Sequence, residues 1–506
     1  MLYDGLALLG GALLPLAFAP FDWPYLAILS LLLLFRSWLD ASPARAFVRG
    51  YLFGLGQYGF GVSWIYVSLH DYGGADTVTA TGLTALFVMF LALYPALAGF
   101  LARRFSASAS LTVKFLLLFP SIWVLVEWFR GWFLTGFPWL QVGYSQVATP
   151  LGAIAPLAGV YGVSLTVAAL AGLLLFAFYG RRYQPILMIV GVFALCAGLG
   201  RIQWTQSAGE PFKASLLQGN VPQNVKWQPA FQQATLDLYT EMTRQHWDSR
   251  LIIWPETAVP AFYHQVKDTY FAKLQREAVR NNADLLIGIP VLELPSENYY
   301  NAIVGVGSHS GAYFKRHLVP FGEFLPLRPV LGFVLDLLEI PLSDFSRGGD
   351  GQEPLVAAGY PLAASICYED IFGQESLADL PRAAYLVNVT NDAWFGDSVA
   401  PHQHLQMART RARETGRYML RATNTGVTAV ISPDGKIVKQ APLFQKAAIT
   451  AEIEPMRGAT WYVLFGDWPV IIALFATYGM SLFPLKHGFA KQINRALAPA
   501  FWKKGR

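Results

Sequence analysis

The strongest constraint on this chain is a series of apolar segments whose connections carry positive charge only at every second turn. Over the first 205 residues, seven segments are candidates to cross a bilayer, near 6–20, 24–35, 51–69, 79–101, 115–129, 158–179 and 186–200. Most approach the roughly 20 apolar residues that a hydrocarbon core requires of a helix. Arg36, Arg45 and Arg49 follow the second segment, Arg103, Arg104 and Lys114 the fourth, and Arg181 and Arg182 the sixth; the other connections hold only Arg130. Lys and Arg are retained on the cytoplasmic side during insertion. The even connections are therefore expected inside, and residue 205 outside. An eighth apolar run, 468–485, leads to Lys486, Lys491, Arg495, Lys503, Lys504 and Arg506, a basic tail suited to the cytoplasmic side. No basic residue precedes Leu6, and Pro15 and Pro20 break the first run, which reads as a span rather than a cleaved signal.

Composition agrees with this picture. Apolar types make up 54% of the chain and charged residues 14%, against about 25% charged in soluble proteins. The net charge of +5 lies in the connections and forms no basic stripe, so nucleic acid is not an expected partner. Glu127 is the main ionisable residue within the spans, too few charges for an ion or proton path. Trp123, Trp128, Trp132 and Trp139 gather around the connection 130–156. That segment is expected at the lipid headgroups, as an aromatic belt or as a substrate contact.

Between about 207 and 455 the texture changes to short apolar strands with polar connections. Strands are expected at 213–218, 251–254, 284–291, 301–307, 312–317, 362–367, 384–389, 425–432 and 448–453. Helices are expected at 229–249, 266–281 and 401–414. Strands alternating with helices predict a layered α/β domain. Three parts follow: a bundle of seven spans over 1–206, an external α/β domain over 207–456, and an eighth span with its basic tail over 457–506.

Two cysteines exclude a disulfide framework. Cys196 lies inside an apolar run and suits packing. Cys367 sits where the apolar run 360–366 turns polar, in Ser365-Ile-Cys-Tyr-Glu-Asp370. A strand end that hands a thiol to a turn suits a nucleophile, although most free cysteines are simply small buried hydrophobes. Glu256 follows the apolar strand Leu251-Ile-Ile-Trp-Pro255, where desolvation would raise its pKa into a general base's range. As a turn or capping glutamate it would need no such role. Lys315, in Ala312-Tyr-Phe-Lys-Arg-His317, faces the same side as Tyr313 if the strand continues. Turned inward, it would stabilise an oxyanion or depress a nearby thiol's pKa. Glu323 follows a glycine in the next loop and could support either group. His402 or His404 offers a competing Cys–His pair. The histidines lack zinc spacing and no phosphate loop is present, so neither a metal nor a nucleotide is expected.

The stretches IIWPET, YFKRHLVPFGE and SICYED resemble, in order and spacing, the Glu–Lys–Cys signature of the nitrilase superfamily. WPETAVP, LVPFGEF and ICYED together with eight expected spans resemble the apolipoprotein N-acyltransferases of bacterial envelopes. The resemblance implies an αββα sandwich on the periplasmic face of the inner membrane. It implies acyl transfer from a phospholipid to the α-amine of diacylglyceryl-cysteine in an apolipoprotein, by a ping-pong thioester route without a cofactor. Carried over by motif, Glu256 is the general base, Lys315 the oxyanion stabiliser and Cys367 the nucleophile. Glu323, Tyr368 and Glu369 match supporting positions, and Trp227 a substrate-pocket tryptophan. A monomer is expected. Connections 324–345 and 392–395 are candidate covers against water. The alternative is a membrane-tethered amidase that hydrolyses C–N bonds with the same triad; a scaffold or transporter is a weaker third.

Overall fold

The computed structural model describes residues 1–106, 109–180, 183–293, 295–326 and 344–482. The expected cover segment therefore lies largely outside the described residues, as do Arg181, Arg182 and the basic tail. Up to residue 200 the described segments are largely helical, in agreement with the apolar pattern. By length and composition, three described helices can cross a membrane: Thr77–Arg104, Leu111–Arg130 and Pro150–Gly180. Shorter apolar helices are Leu2–Ala17, Leu26–Trp38, Gln184–Leu199 and Trp468–Gly479.

The third expected span is displaced. Its helix is Pro43–Gly61, because the Ser42 hydroxyl accepts from Arg45 N and Pro43 supplies a preset first turn. Arg45 and Arg49 thus lie in the helix, where both pair with Asp4. Gly50 and Gly54, one turn apart, let this helix approach Thr77–Arg104 closely. A Cβ at Gly50 would stand 2.1 Å from Pro95 O, and one at Gly54 2.5 Å from Ala92 Cα. Between apolar helices in lipid, such close backbone contact supplies the dispersion energy that hydrophobicity cannot.

The second half contains strands β1 (Gln206–Ser207), β2 (Phe212–Gln218), β3 (Leu251–Ile253), β4 (Asp284–Glu293), β5 (Asn298–Val306) and β6 (Gly311–Phe314). They are followed by β7 (Val356–Ala357), β8 (Tyr360–Ile366), β9 (Tyr385–Thr390), β10 (Met419–Thr423), β11 (Ala429–Ile431), β12 (Ile437–Gln440), β13 (Ala447–Ile453) and β14 (Met456–Arg457). Two six-stranded sheets form, in the orders β13-β2-β3-β4-β5-β6 and β12-β11-β10-β9-β8-β7. Each has three parallel strands, β2-β3-β4 or β8-β9-β10, with two antiparallel strands beyond one edge and a third, β13 or β7, beyond the other. The halves therefore share one topology although no repeat is visible in the sequence. The short pair β1–β14 ties together the points where the chain enters and leaves this half.

Three apolar layers account for the stacking. Leu216, Ile253 and Leu286 of one sheet meet Ile366, Val387 and Leu420 of the other. Leu217, Ile252 and Leu285 face the helical stretches 229–244 and 263–280 through Leu236, Tyr239 and Leu274. Leu386 and Ala363 face helix Ala400–Thr415 through Leu405, Ala408 and Ala412. The order is helix, sheet, sheet, helix: an αββα sandwich. Strand β10 was not anticipated, because Arg421 interrupts its apolar run.

The connection 130–156 does not lie flat on headgroups. Most of 137–154 is buried between bundle and sandwich. Trp139 is 1% exposed and donates from Nε1 to Gln403 Oε1 at 2.6 Å. Arg130 donates to the carbonyls of Phe137 (2.5 Å) and Trp139 (2.6 Å), and Glu127 Oε1 accepts from Val142 N (2.8 Å). The two charges at the end of one helix thus satisfy a loop that water does not reach. Trp132, 51% exposed, keeps the expected peripheral position. The largest apolar cluster of the bundle also includes Tyr368, Ile371, Phe372 and Met407 of the sandwich, so the two halves share one core.

Candidate active site

Glu256 stands three residues beyond β3. Trp254 N still donates to Leu286 O (2.9 Å), after which Pro255 ends the ladder and Thr257 turns left-handed at φ 45°. The turn rests on Gly288 of β4, where a Cβ would lie 2.3 Å from Pro255 O and 2.7 Å from Glu256 Cα. Glu256 Oε1 accepts from Asn301 Nδ2 at 2.6 Å and lies 4.0 Å from Lys315 Nζ. Its other oxygen is buried with no hydrogen-bond partner among the described residues. Burial raises the Glu256 pKa above the ordinary 4.5, opposed by Lys315 and reinforced by Glu323.

Lys315 lies one residue beyond β6, held by its N–H to Asn301 O (2.9 Å). Its side chain is enclosed, and Nζ donates to Glu323 Oε1 at 2.8 Å. Glu323 Oε1 also accepts from Asn301 Nδ2 (3.2 Å), and Oε2 accepts from Val319 N (2.8 Å). Burial works against the lysine's charge, but Glu323 and then Glu256 outweigh it and raise the pKa well above the usual range. Lys315 is therefore a fixed ammonium, fit to stabilise negative charge and unfit to donate its proton.

Cys367 is the first residue beyond β8. It is left-handed at φ 52° and opens the single-turn helix Cys367–Ile371. That rarely populated conformation is a store of strain typical of functional positions. The residue as a whole is partly exposed. Burial, followed by the Glu256 charge, pushes the thiol pKa well up, and Lys315 offsets this only in part. The resting sulfur is thus a thiol that needs a base. Lys315 does act to lower the thiol pKa, as expected, but desolvation and a carboxylate outweigh one cation.

Glu369 faces away from these groups into four donors. Arg316 N (2.6 Å) and His317 N (3.1 Å) bond to Oε1, Ile366 N (2.6 Å) to Oε2, and the Tyr313 hydroxyl to both oxygens at 3.0 Å. The carboxylate ties the segment carrying Lys315 to the turn carrying Cys367. Tyr368 points into the bundle, its hydroxyl donating to Gly136 O (3.0 Å). Trp227 is 51% exposed, while its neighbour Lys226 turns inward beneath Glu256.

Three polar residues lacked any motif. Asn301, Asn388 and Arg421 each interrupt the apolar part of a strand, and a polar side chain there is the signal the sequence offered. Asn388 Nδ2 donates to the Cys367 carbonyl (3.3 Å) and its Oδ1 accepts from Arg421 (2.6 Å). Arg421 also pairs with Asp370 (2.8 Å) and Asp392 (3.1 Å). His404 stands between the same carboxylates, Nε2 at 2.8 Å from Asp370 and Nδ1 at 3.0 Å from Asp392. Both ring nitrogens are engaged, so His404 is no base for Cys367. Burial and Arg421 oppose its charge; Asp370 and Asp392 prevail and raise its pKa. Asp392–Phe395 is accordingly anchored rather than loose, and Phe395 stacks edge-on against Trp64 at 4.7 Å. Among the described residues, no three His, Cys, Asp or Glu side chains converge as a metal site requires.

A family model described as the apolipoprotein N-acyltransferase N-terminal domain matches residues 10–173, and one described as carbon-nitrogen hydrolase matches residues 213–462. The apolipoprotein N-acyltransferase of Methylococcus capsulatus is 60% identical over 469 residues, 92% of this chain and 93% of that protein. Those of Nitrosomonas europaea and Coxiella burnetii are 45% and 40% identical, each over 92% of this chain and over 93% and 97% of their own length. The chain belongs to the apolipoprotein N-acyltransferase family.

Proposed function

We propose that this protein transfers a fatty acyl chain from a membrane phospholipid to the N-terminal amine of diacylglyceryl-cysteine in apolipoproteins. Residues 1–206 and 457–506 form the membrane part, with eight spans in all, and 207–456 the catalytic part. The protein acts as a monomer in the bacterial inner membrane with the catalytic part on the periplasmic side. One observation carries the reading: a buried carboxylate and a buried ammonium, 4.0 Å apart, bear on the Cys367 thiol where its own turn enters the bundle's apolar core. An acyl chain lying in the bilayer is within reach of such a site, which a tethered amidase would not need.

In the first half-reaction the free oxygen of Glu256 takes the Cys367 proton as sulfur attacks the phospholipid ester. The oxyanion forms beside Lys315, the carbon–oxygen bond breaks, and Glu256 returns the proton to the departing lysophospholipid. In the second, Glu256 takes a proton from the lipoprotein amine as nitrogen attacks the thioester. The carbon–sulfur bond breaks, leaving the amide and a reprotonated thiol. Glu323 holds Lys315, Glu369 and Tyr368 hold the nucleophile's turn, and Trp227 contacts substrate at the rim.

Product analysis with phospholipid, with and without a diacylglyceryl-cysteine peptide, tests the reading. N-acyl peptide and lysophospholipid should appear in equal amounts, and little free fatty acid should form without the peptide. Steady release of free acid unaffected by the peptide would identify a hydrolase instead.

A further inference from the structure

Lys226 ends the short helix Gln223–Lys226 and is 2% exposed. Its ammonium donates to Thr257 Oγ1 at 2.6 Å and to the Glu256 carbonyl at 3.3 Å, and it forms no ion pair among the described residues. Both acceptors belong to the left-handed turn that presents the Glu256 carboxylate. A buried ammonium bonded only to neutral acceptors is costly, and a Met of similar length would pack there without that cost. Packing alone therefore does not account for a lysine.

The charges around Glu256 supply a reason. The groups facing it are Lys315, Glu323, Asn301 and Lys226, with the Cys367 thiol beyond. Glu323 takes the shortest contact of Lys315, at 2.8 Å, leaving Glu256 at 4.0 Å. With Lys226 counted, the buried quartet holds two carboxylates and two ammoniums. Without it, the remaining three carry one uncompensated negative charge, which protonation of Glu256 would relieve. We propose that Lys226 is a positioning residue for the general base: it pins the Glu256–Thr257 turn and is the second cation that keeps Glu256 ionised. The adjoining Trp227 places this device at the exposed rim, so the segment that meets substrate also bears on the base. Burial lowers the Lys226 pKa to about 8, with Glu256 acting to raise it, so the ammonium persists through neutral pH.

This inference rests on Glu256 being the base, and the test separates the two. The rate at which dioleoylphosphatidylethanolamine in detergent micelles acylates Cys367 is followed by intact mass from pH 5 to 9. Glu256→Gln should abolish the acid limb of the profile; an unchanged limb would remove the base assignment and the inference with it. Lys226→Met should lower the plateau at least tenfold and move the limb upward by about half a pH unit or more. Lys226→Arg should restore the limb's position even where the plateau stays low. Lys226→Gln, which keeps a donor for Thr257, replaces Lys226→Met if that variant loses the wild-type Tm. A limb unmoved in the neutral variant, with Glu256→Gln behaving as expected, would leave Lys226 only a packing role.

Discussion

At the scale of single residues, the proposed chemistry rests on three side chains whose surroundings push them in known directions. In the proposed mechanism the protonated Cys367 thiol depends on Glu256, which acts only when ionised. Its raised pKa places the loss of activity on the acid side: kcat/KM should fall as pH drops through a value above the ordinary 4.5 of a glutamate. Lys315 should impose no alkaline limb below pH 9, since Glu323 and Glu256 hold it charged. A pH–rate profile checks both, and a limb at or below 4.5 would contradict the assignment. Lys315→Met should cost on the order of a hundredfold or more in the rate of Cys367 acylation, as the loss of an oxyanion donor does. Cys367→Ser should leave little activity, because an alkoxide is far harder to generate than a thiolate. These three residues could be proposed from the sequence because each stands beside a strand end in a recognisable stretch. Asn301 and Lys226 were not, because their roles depend on strands and turns brought together from elsewhere in the chain.

At the scale of elements, catalysis depends on how strand ends are tied to one another. Glu369 joins the end of β6 to the end of β8 through four donors, so Glu369→Gln, nearly the same shape, replaces an acceptor with a donor amide among donors. It should lower activity at least tenfold with the Tm only modestly reduced, because a misplaced turn affects geometry before it affects stability. A second tie crosses between the halves. Gly136 takes φ 86°, and a Cβ there would lie 2.2 Å from Gly131 O while its carbonyl accepts from Tyr368. Gly136→Ala should therefore destabilise by about 1–3 kcal/mol, read as a lowered Tm in detergent. It should also slow acylation of Cys367, which lies next to Tyr368. Unchanged melting and rate would show that this loop does not support the nucleophile. The periodicity of apolar residues exposed most strands and helices, since alternation and run length follow directly from burial. It missed the placement of the loop 130–156, whose Trp and Gly content is equally suited to a headgroup layer and to an interior seam. The pairing of Arg130 and Glu127 with its backbone, and of Trp139 with Gln403, distinguishes the two. It missed β10 for the converse reason: a buried Arg421, paired with Asp370 and Asp392, looks like a surface charge in one dimension.

At the scale of the whole molecule, the bundle and the sandwich share a core at the nucleophile's turn, which links the lipid phase to the chemistry. Reporter fusions after Arg104 and Arg506 should report cytoplasm, and one after Ser207 the outer compartment; a cytoplasmic signal at Ser207 would overturn the orientation. The covalent step is the central claim, and one measurement addresses it directly. Purified protein is mixed with a phospholipid of defined acyl chain, digested, and the peptide containing Cys367 is weighed. That peptide should gain the mass of one acyl group, and a diacylglyceryl-cysteine peptide added afterwards should remove it while acquiring the same acyl on its amine. If N-acylated product forms at the normal rate while the Cys367 peptide never carries an acyl group, or if Cys367→Ala remains active, the thioester mechanism is contradicted.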